Sequence, residues 1–222
     1  MVTSTYEATQ SRYIDRNAVI RAFKALRKDK ILARANHWCC QSCGGADLEG
    51  RMETKLKSGT PKWKGYAFWH RQTEERAFGN NYGYNPTLNI YYTGTKDLDD
   101  EATHSDEGMT SKEIGHAIFH ALKEEGLNVI WDGNAGNSVA VFADTFEEEE
   151  EMKLYGTFSG LNPDSPLIPE HLREKVRESR NAWLEYSEKW NREYEERKKE
   201  EEVLAKEKEK ALYEETYKEF LT

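Results

Sequence analysis

The sequence predicts an α+β fold, and three observations carry that prediction. Residues 17–35, "NAVIRAFKALRKDKILARA", space their apolar side chains along one helical face, and residues 110–126, "TSKEIGHAIFHALKEEG", do so again. Residues 65–72, 87–92 and 127–143 are rich in aromatic and β-branched side chains and are separated by Gly/Asn turns, the pattern of strands. Beyond Pro169 there is neither Gly nor Pro, so the end of the chain reads as helix. The expected order is α-β-β-α-β-β, a four-stranded antiparallel or mixed sheet with helices on one face. This domain spans residues 1–145, an acidic and irregular linker follows over 146–169, and a charged helical tail occupies 170–222.

In the first helix Val19, Ile20, Phe23, Leu26 and Ile31 fall at helical spacing, and Asp15 stands where an N-cap belongs. A cysteine-rich stretch follows, and then residues 46–64, polar and containing "KSGTPK", read as a loop or a frayed hairpin. In "GYAFWHRQ", residues 65–72, the two-residue period puts Tyr66, Phe68 and His70 on one face and Ala67, Trp69 and Arg71 on the other. "TLNIYY", residues 87–92, is the second strand, reached through "FGNNYGYNP", and residues 94–109 form an acidic loop. Thr110 or Ser111 caps the second helix and Gly126 stops it. "LNVIWDGNAGNSVAVFA", residues 127–143, is a hairpin around a Gly/Asn-rich turn, in which Asp132 serves as a turn residue and Trp131 as a core anchor. In the tail Leu172, Val176, Ser179, Trp183, Tyr186 and Trp190 step by four and three, a short heptad-like seam. The seam fades over residues 195–202, so the tail fits either one helix or two.

Charge is distributed unevenly. Residues 1–76 carry a net +7, residues 77–144 a net −8 and residues 145–222 another −8. No apolar run reaches the length of a membrane span, and the first residues show no secretory pattern. The three cysteines form no disulfide framework, which points to a reducing, cytoplasmic location.

Those cysteines lie together in "HWCCQSCGG", residues 37–45. Cys40 and Cys43 have the C-x-x-C spacing with which two thiolates ligate one zinc ion from a tight turn, and Gly44 and Gly45 supply permissive backbone there. With no second C-x-x-C in the chain, His70 is the expected third ligand, and Cys39 and His37 are local alternatives. Consecutive side chains point apart, which makes Cys39 a candidate for simple burial. The competing reading makes all three inert buried thiols. A redox role is disfavoured because the C-x-x-C follows a helix rather than opening one. His116 and His120, four apart on one helix, lack the glutamate of a zinc-protease motif and complete a metal shell only if they face the cysteines. The acidic stretch 97–107 lacks the Gly and closing Glu of a calcium loop.

The set "WCCQSCG", "GYAFWHRQ", "LNIYY", "LKEEGL" and "NVIWDGN" resembles a bacterial domain family of unknown function. That family is marked by a CC-x-x-C-G motif, an aromatic strand ending in His-x-Gln and a Trp-Asp-Gly hairpin. The resemblance covers residues 17–143 and singles out Cys39, Cys40, Cys43, His70, Gln72, Trp131, Asp132 and Gly133. It brings no activity with it.

The function expected from the sequence is a non-enzymatic, zinc-stabilised protein that binds a protein partner or itself through Trp183, Tyr186 and Trp190. One alternative is a zinc- or thiolate-dependent, hydrolase-like enzyme at Cys40, Cys43 and His70. Another is a nucleic-acid-binding module using the Lys/Trp-rich residues 51–76.

Overall fold

The computed structural model describes residues 14–57, 63–78, 87–98, 108–143, 158 and 160–219. The chain divides into two compact units, Met1–Arg180 and Asn181–Thr222. The first is an α+β domain on a mixed sheet of five strands in the order β1-β2-β3-β5-β4. Its strands are β1 (Ile31–Arg34), β2 (Gly65–Phe68), β3 (Thr87–Gly94), β4 (Asn128–Ile130) and β5 (Val139–Phe142). The helices are α1 (Arg16–Lys28), α2 (Gln41–Lys57), α3 (Arg71–Phe78), α4 (Ser111–Glu124) and the long α5 (Glu170–Glu219).

The strand beyond the expected four is β1, which the sequence assigns to the end of the first helix. Asp15 caps α1 as expected, accepting the Asn17 amide, and Ala18, Val19, Ala22, Phe23 and Leu26 form its buried face. The helix ends at Lys28, and Lys30 takes a left-handed backbone, φ 64°. The chain then re-enters as a strand, so Ile31 is a strand residue. β1 runs parallel to β2, pairing Ile31 with Gly65 and Arg34 with Phe68. Parallel neighbours need a crossover connection, and α2 supplies it across the stretch expected to be loop. The remaining pairs, β2 with β3, β3 with β5 and β4 with β5, are antiparallel.

Helices pack on both faces of the sheet rather than one, because the inner strands are apolar on both sides. One face carries α1 and α4 over Ala67, Trp69, Leu88, Ile90, Trp131 and Val141. Gly115 lets α4 close on this face, since a Cβ there would lie 2.5 Å from Trp131 Cζ2. α4 keeps its expected ends. Thr110 and Glu113 form a reciprocal capping box, and Gly126, φ 77°, closes a Schellman turn through Leu127 N–H to Leu122 O.

The opposite face is covered in two places. Leu48 and Met52 of α2 pack on Leu32, Tyr66 and Phe68. At the other end Phe158, Leu161, Ile168, Leu172 and Val176 pack on Ile130, Ala140 and Phe142. Residues that the sequence places in linker and tail therefore help build the first unit's core. The acidic run 147–151 and the calcium-like stretch 99–107 lie outside the described residues. Residues 181–219 continue as helix, so the tail is one helix by its backbone.

Asp132 fastens this second cover. Its Oδ1 accepts the Asn134 amide at 2.9 Å, the local turn bond expected of it. Its Oδ2 also accepts Asn137 Nδ2 at 3.0 Å and the Asn162 amide at 2.8 Å, and its carbonyl accepts Ser165 Oγ at 2.7 Å. One carboxylate thus joins the β4–β5 turn to residues 160–168. Asp132→Ala removes a buried carboxylate that accepts three hydrogen bonds and is expected to cost about 3 kcal/mol, the scale of losing charge-assisted bonds. Urea denaturation of the full chain measures it, and a loss below about 0.5 kcal/mol, the scale of an ordinary surface substitution, would contradict the assignment.

Candidate metal and thiol site

The cysteine segment is strung along the end of β2 by backbone bonds. His37 N–H donates to Trp69 O at 2.8 Å, and Arg71 N–H donates to Trp38 O at 3.0 Å. Asn36 and Trp38 both hold left-handed backbone, φ 45° and 64°. This conformation costs an L-residue about 1–2 kcal/mol, and it turns the chain sharply into α2. Trp38 itself is 52 % exposed.

Cys40 O accepts the Gly44 amide at 3.1 Å, which closes the first turn of α2. Cys40 is therefore the N-cap residue and Cys43 the third residue of the helix, so the C-x-x-C opens a helix, contrary to the sequence expectation. An N-cap side chain meets the free amides of the first turn. The glycines also act differently from the expectation. Gly44 has no left-handed backbone, but a Cβ there would sit 2.4 Å from Phe68 Cε2. Its role is close approach of the helix start to β2.

The three Sγ atoms lie within 4.8 Å of one another and form a group able to hold a metal ion. Cys39 and Cys40 Sγ are 3.7 Å apart, and Cys40 Sγ is 3.4 Å from Ser42 Oγ. Cys39 and Cys43 are exposed and Cys40 is half-buried, so none is an inert core thiol. The Ser42 hydroxyl, then the Cys43 amide, then the neighbouring thiols lower the Cys40 thiol to about 6. The hydrogen bond with Cys40, then that with Cys39, pushes Cys43 up to about 11. Charge collects on Cys40 and the proton stays on Cys43.

His70 lies just past β2, on the Tyr66/Phe68 face, as its parity predicts. It is 5 % exposed and stacks on Tyr91 with ring centroids 5.3 Å apart. Its Nδ1 accepts the Thr73 amide at 3.4 Å, while Nε2 has no hydrogen-bond partner among the described residues. Burial, then the Arg76 charge, lowers its pKa, so the ring is neutral near pH 7 and carries its proton on Nε2. His70, Cys40, Ser42, Gln72, Arg76 and Tyr91 line one open cleft of about 450 Å³.

The other candidates have different surroundings. His37 Nε2 bonds Asp47 Oδ2 at 3.0 Å, and Arg51 binds the same oxygen at 2.7 Å. The Arg51 bond, then those of Trp38 and His37, hold the Asp47 carboxyl below its ordinary range. Asp47 of α2 therefore anchors both residues that precede the cysteines. His116 and His120 lie on α4, on the other face of the sheet from α2, stacked on each other at 6.3 Å, with His116 edge-on to Trp131. They do not face the sulfurs.

In the basic stretch Trp63 is half-buried. Trp69 is fully buried against Phe23, while the side chains of Lys55, Lys57 and Lys62 lie outside the described residues. In the second unit Trp183, Tyr186 and Trp190 are 47, 59 and 46 % exposed, with Trp183 against Tyr186 and Trp190 stacked on Tyr194. Sequence reasoning missed Ser42, Asp47, Arg76 and Tyr91. The first two come within reach once 41–57 is read as helix, because Asp47 follows Cys43 by four residues.

No helix among the described residues is long and apolar enough to cross a membrane. A family model for a domain of unknown function, DUF6891, matches residues 5–147. The chain belongs to that family. No curated protein and no solved structure matches it.

A thiol reacts as its thiolate. With Cys40 lowered to about 6, its alkylation by iodoacetamide should rise through pH 6 and level off near pH 7, while Cys43, raised to about 11, stays slow until alkaline pH. Peptide mass spectrometry of metal-free protein, alkylated at a series of pH values, reads both profiles. Equal rates at Cys40 and Cys43 at pH 7 would contradict this arrangement.

Proposed function

We propose that this member of the DUF6891 family is a zinc-stabilised interaction protein. In this reading Cys39, Cys40 and Cys43 hold one zinc ion and the aromatic helix beyond Arg180 joins two copies of the chain. The observation that carries the metal reading is the sulfur geometry. Thiolates on a tetrahedral zinc at ~2.3 Å stand about 3.8 Å apart, and Cys39 and Cys40 Sγ are already 3.7 Å apart with Cys43 beside them. Zinc binding displaces the protons that its ligating thiols still carry.

The fourth position falls to a ligand from the cleft, water in the simplest case. His70 was the ligand expected from the sequence. In the tautomer set by Thr73 it offers an N–H there, and ligation through Nε2 would shift that proton to Nδ1 and forfeit the Thr73 bond. We therefore assign His70 the role of hydrogen-bonding whatever fills the fourth position.

For the tail, several large aromatic side chains are left about half exposed along one helix, and such a patch marks an interaction surface. The flanking residues 178–193 hold four acidic and three basic side chains, so like faces meet without strong net repulsion. This favours a second copy as the partner.

Native mass spectrometry tests both halves in one measurement. The full chain should appear as a dimer with one zinc per chain, and a chain ending at Arg180 as a monomer that keeps its zinc. Cys40→Ser and Cys43→Ser should lose the metal, and His70→Ala should retain it. A zinc-free full chain would sink the metal reading, and a monomeric full chain would sink the tail reading.

A further inference from the structure

The cleft beside Cys40 has a composition that the metal reading leaves unused. Of the three cysteines only Cys40 borders it, and among the described residues no carboxylate lines it. Arg76 lies there, exposed and without an ion pair among the described residues. His70, 5 % exposed, lines the same space with Gln72, and its Nε2–H has no partner among the described residues. A cation and two neutral polar groups around one sulfur suit a ligand that carries carboxylates and reacts with a thiolate.

We propose that Cys40 and Cys43 are a thiol–disulfide exchange couple whose substrate is a small disulfide bearing carboxylate groups, bound in this cleft. The N-cap and third residues of a helix place their Sγ atoms on the same turn, here within 4.8 Å, and side-chain rotation closes the rest. Cys39 and Cys40 cannot be the couple despite their 3.7 Å sulfur separation. Consecutive Cα atoms lie only about 3.8 Å apart, below the roughly 4.4 Å minimum of ordinary disulfides.

The steps balance without a further reagent. Cys40 thiolate attacks one sulfur of the substrate, the substrate S–S bond breaks, and the first thiolate leaves and takes a proton from water. Cys43 gives its proton to solvent and attacks Cys40 Sγ in the mixed disulfide, and the second thiolate leaves. Two protein thiols are oxidised by two electrons, and one substrate disulfide becomes two thiols. Excess thiol reverses the sequence. Because zinc and the disulfide need the same sulfurs, exchange on a zinc-loaded chain releases the ion.

The test uses the reduced full chain, both chelator-treated and zinc-loaded, with oxidised glutathione as the anionic probe and bis(2-hydroxyethyl) disulfide as the neutral one. Peptide mass spectrometry should find a Cys40–Cys43 disulfide in the wild type and a glutathione adduct at Cys40 in Cys43→Ser. Arg76→Gln should lower the preference for the anionic over the neutral disulfide by about tenfold, equivalent to ~1.4 kcal/mol. Both positions are exposed, so neither variant disturbs the core. An adduct confined to Cys39, or none at all on metal-free protein, would overturn the couple. An unchanged preference in Arg76→Gln would overturn the recognition of carboxylates. The metal-free arm reads exchange whether or not the chain binds zinc, so this inference can fail independently of the metal site.

Discussion

The first turn of α2 lies against the ring of Phe68, and the candidate site depends on that contact. Only glycine at position 44 permits it, because any Cβ would fall 2.4 Å from a ring carbon. The ring has little room to yield. It is 1 % exposed and hemmed in by Tyr66 and Tyr91. Adding a methyl group to such a packed contact typically costs about 1–3 kcal/mol. The contact sets how close the start of α2 comes to β2, and so where Cys40 and Cys43 stand relative to His70 and Tyr91. Asp47 completes the constraint from the other side by holding His37 and Trp38 to the same helix. The thiols are thus exposed on a rigid base, a combination that suits metal ligation or exchange.

The same sheet explains why the site lies where it does. β1 and β2 are parallel, so the chain between them must cross from one end of the sheet to the other, and α2 makes that crossing. The cysteines occupy the turn that starts it. At the far end of that face no crossover helix is available to cover β4 and β5. Residues 158–176 do so instead, held by Asp132. Beside the start of α2 on this face, Tyr91 of β3 and His70 stack and border the cleft.

Much of this was legible in the sequence, and the misses have physical causes. The face assignment of Tyr66, Phe68 and His70 followed from the two-residue period, and the ends of α4 followed from Thr110, Glu113 and Gly126. β1 was hidden because Lys30, a residue type that rarely adopts left-handed backbone, ends α1 without a Gly or Pro signal. Ile31 then continued the helical spacing by coincidence. α2 was hidden because its first turn holds two glycines and its apolar face is narrow, with Leu48 and Met52 its buried contributions to the core. Gly44 looked like a turn residue when it is a packing residue. Missing α2 also reversed the reading of the C-x-x-C, since a motif judged to follow a helix in fact opens one. The cleft was not legible at all, because Tyr91 joins its lining through the pairing of β2 with β3, and Arg76 through α3, a helix the sequence did not suggest.

The central claim is that three thiolates at the start of α2 form one metal site. X-ray absorption spectroscopy of the zinc-loaded full chain tests it directly, because the zinc edge counts sulfur and lighter neighbours separately. Three sulfur neighbours at ~2.3 Å and one oxygen or nitrogen neighbour near ~2.0 Å are the result this account predicts. A shell of oxygen and nitrogen neighbours alone would contradict it.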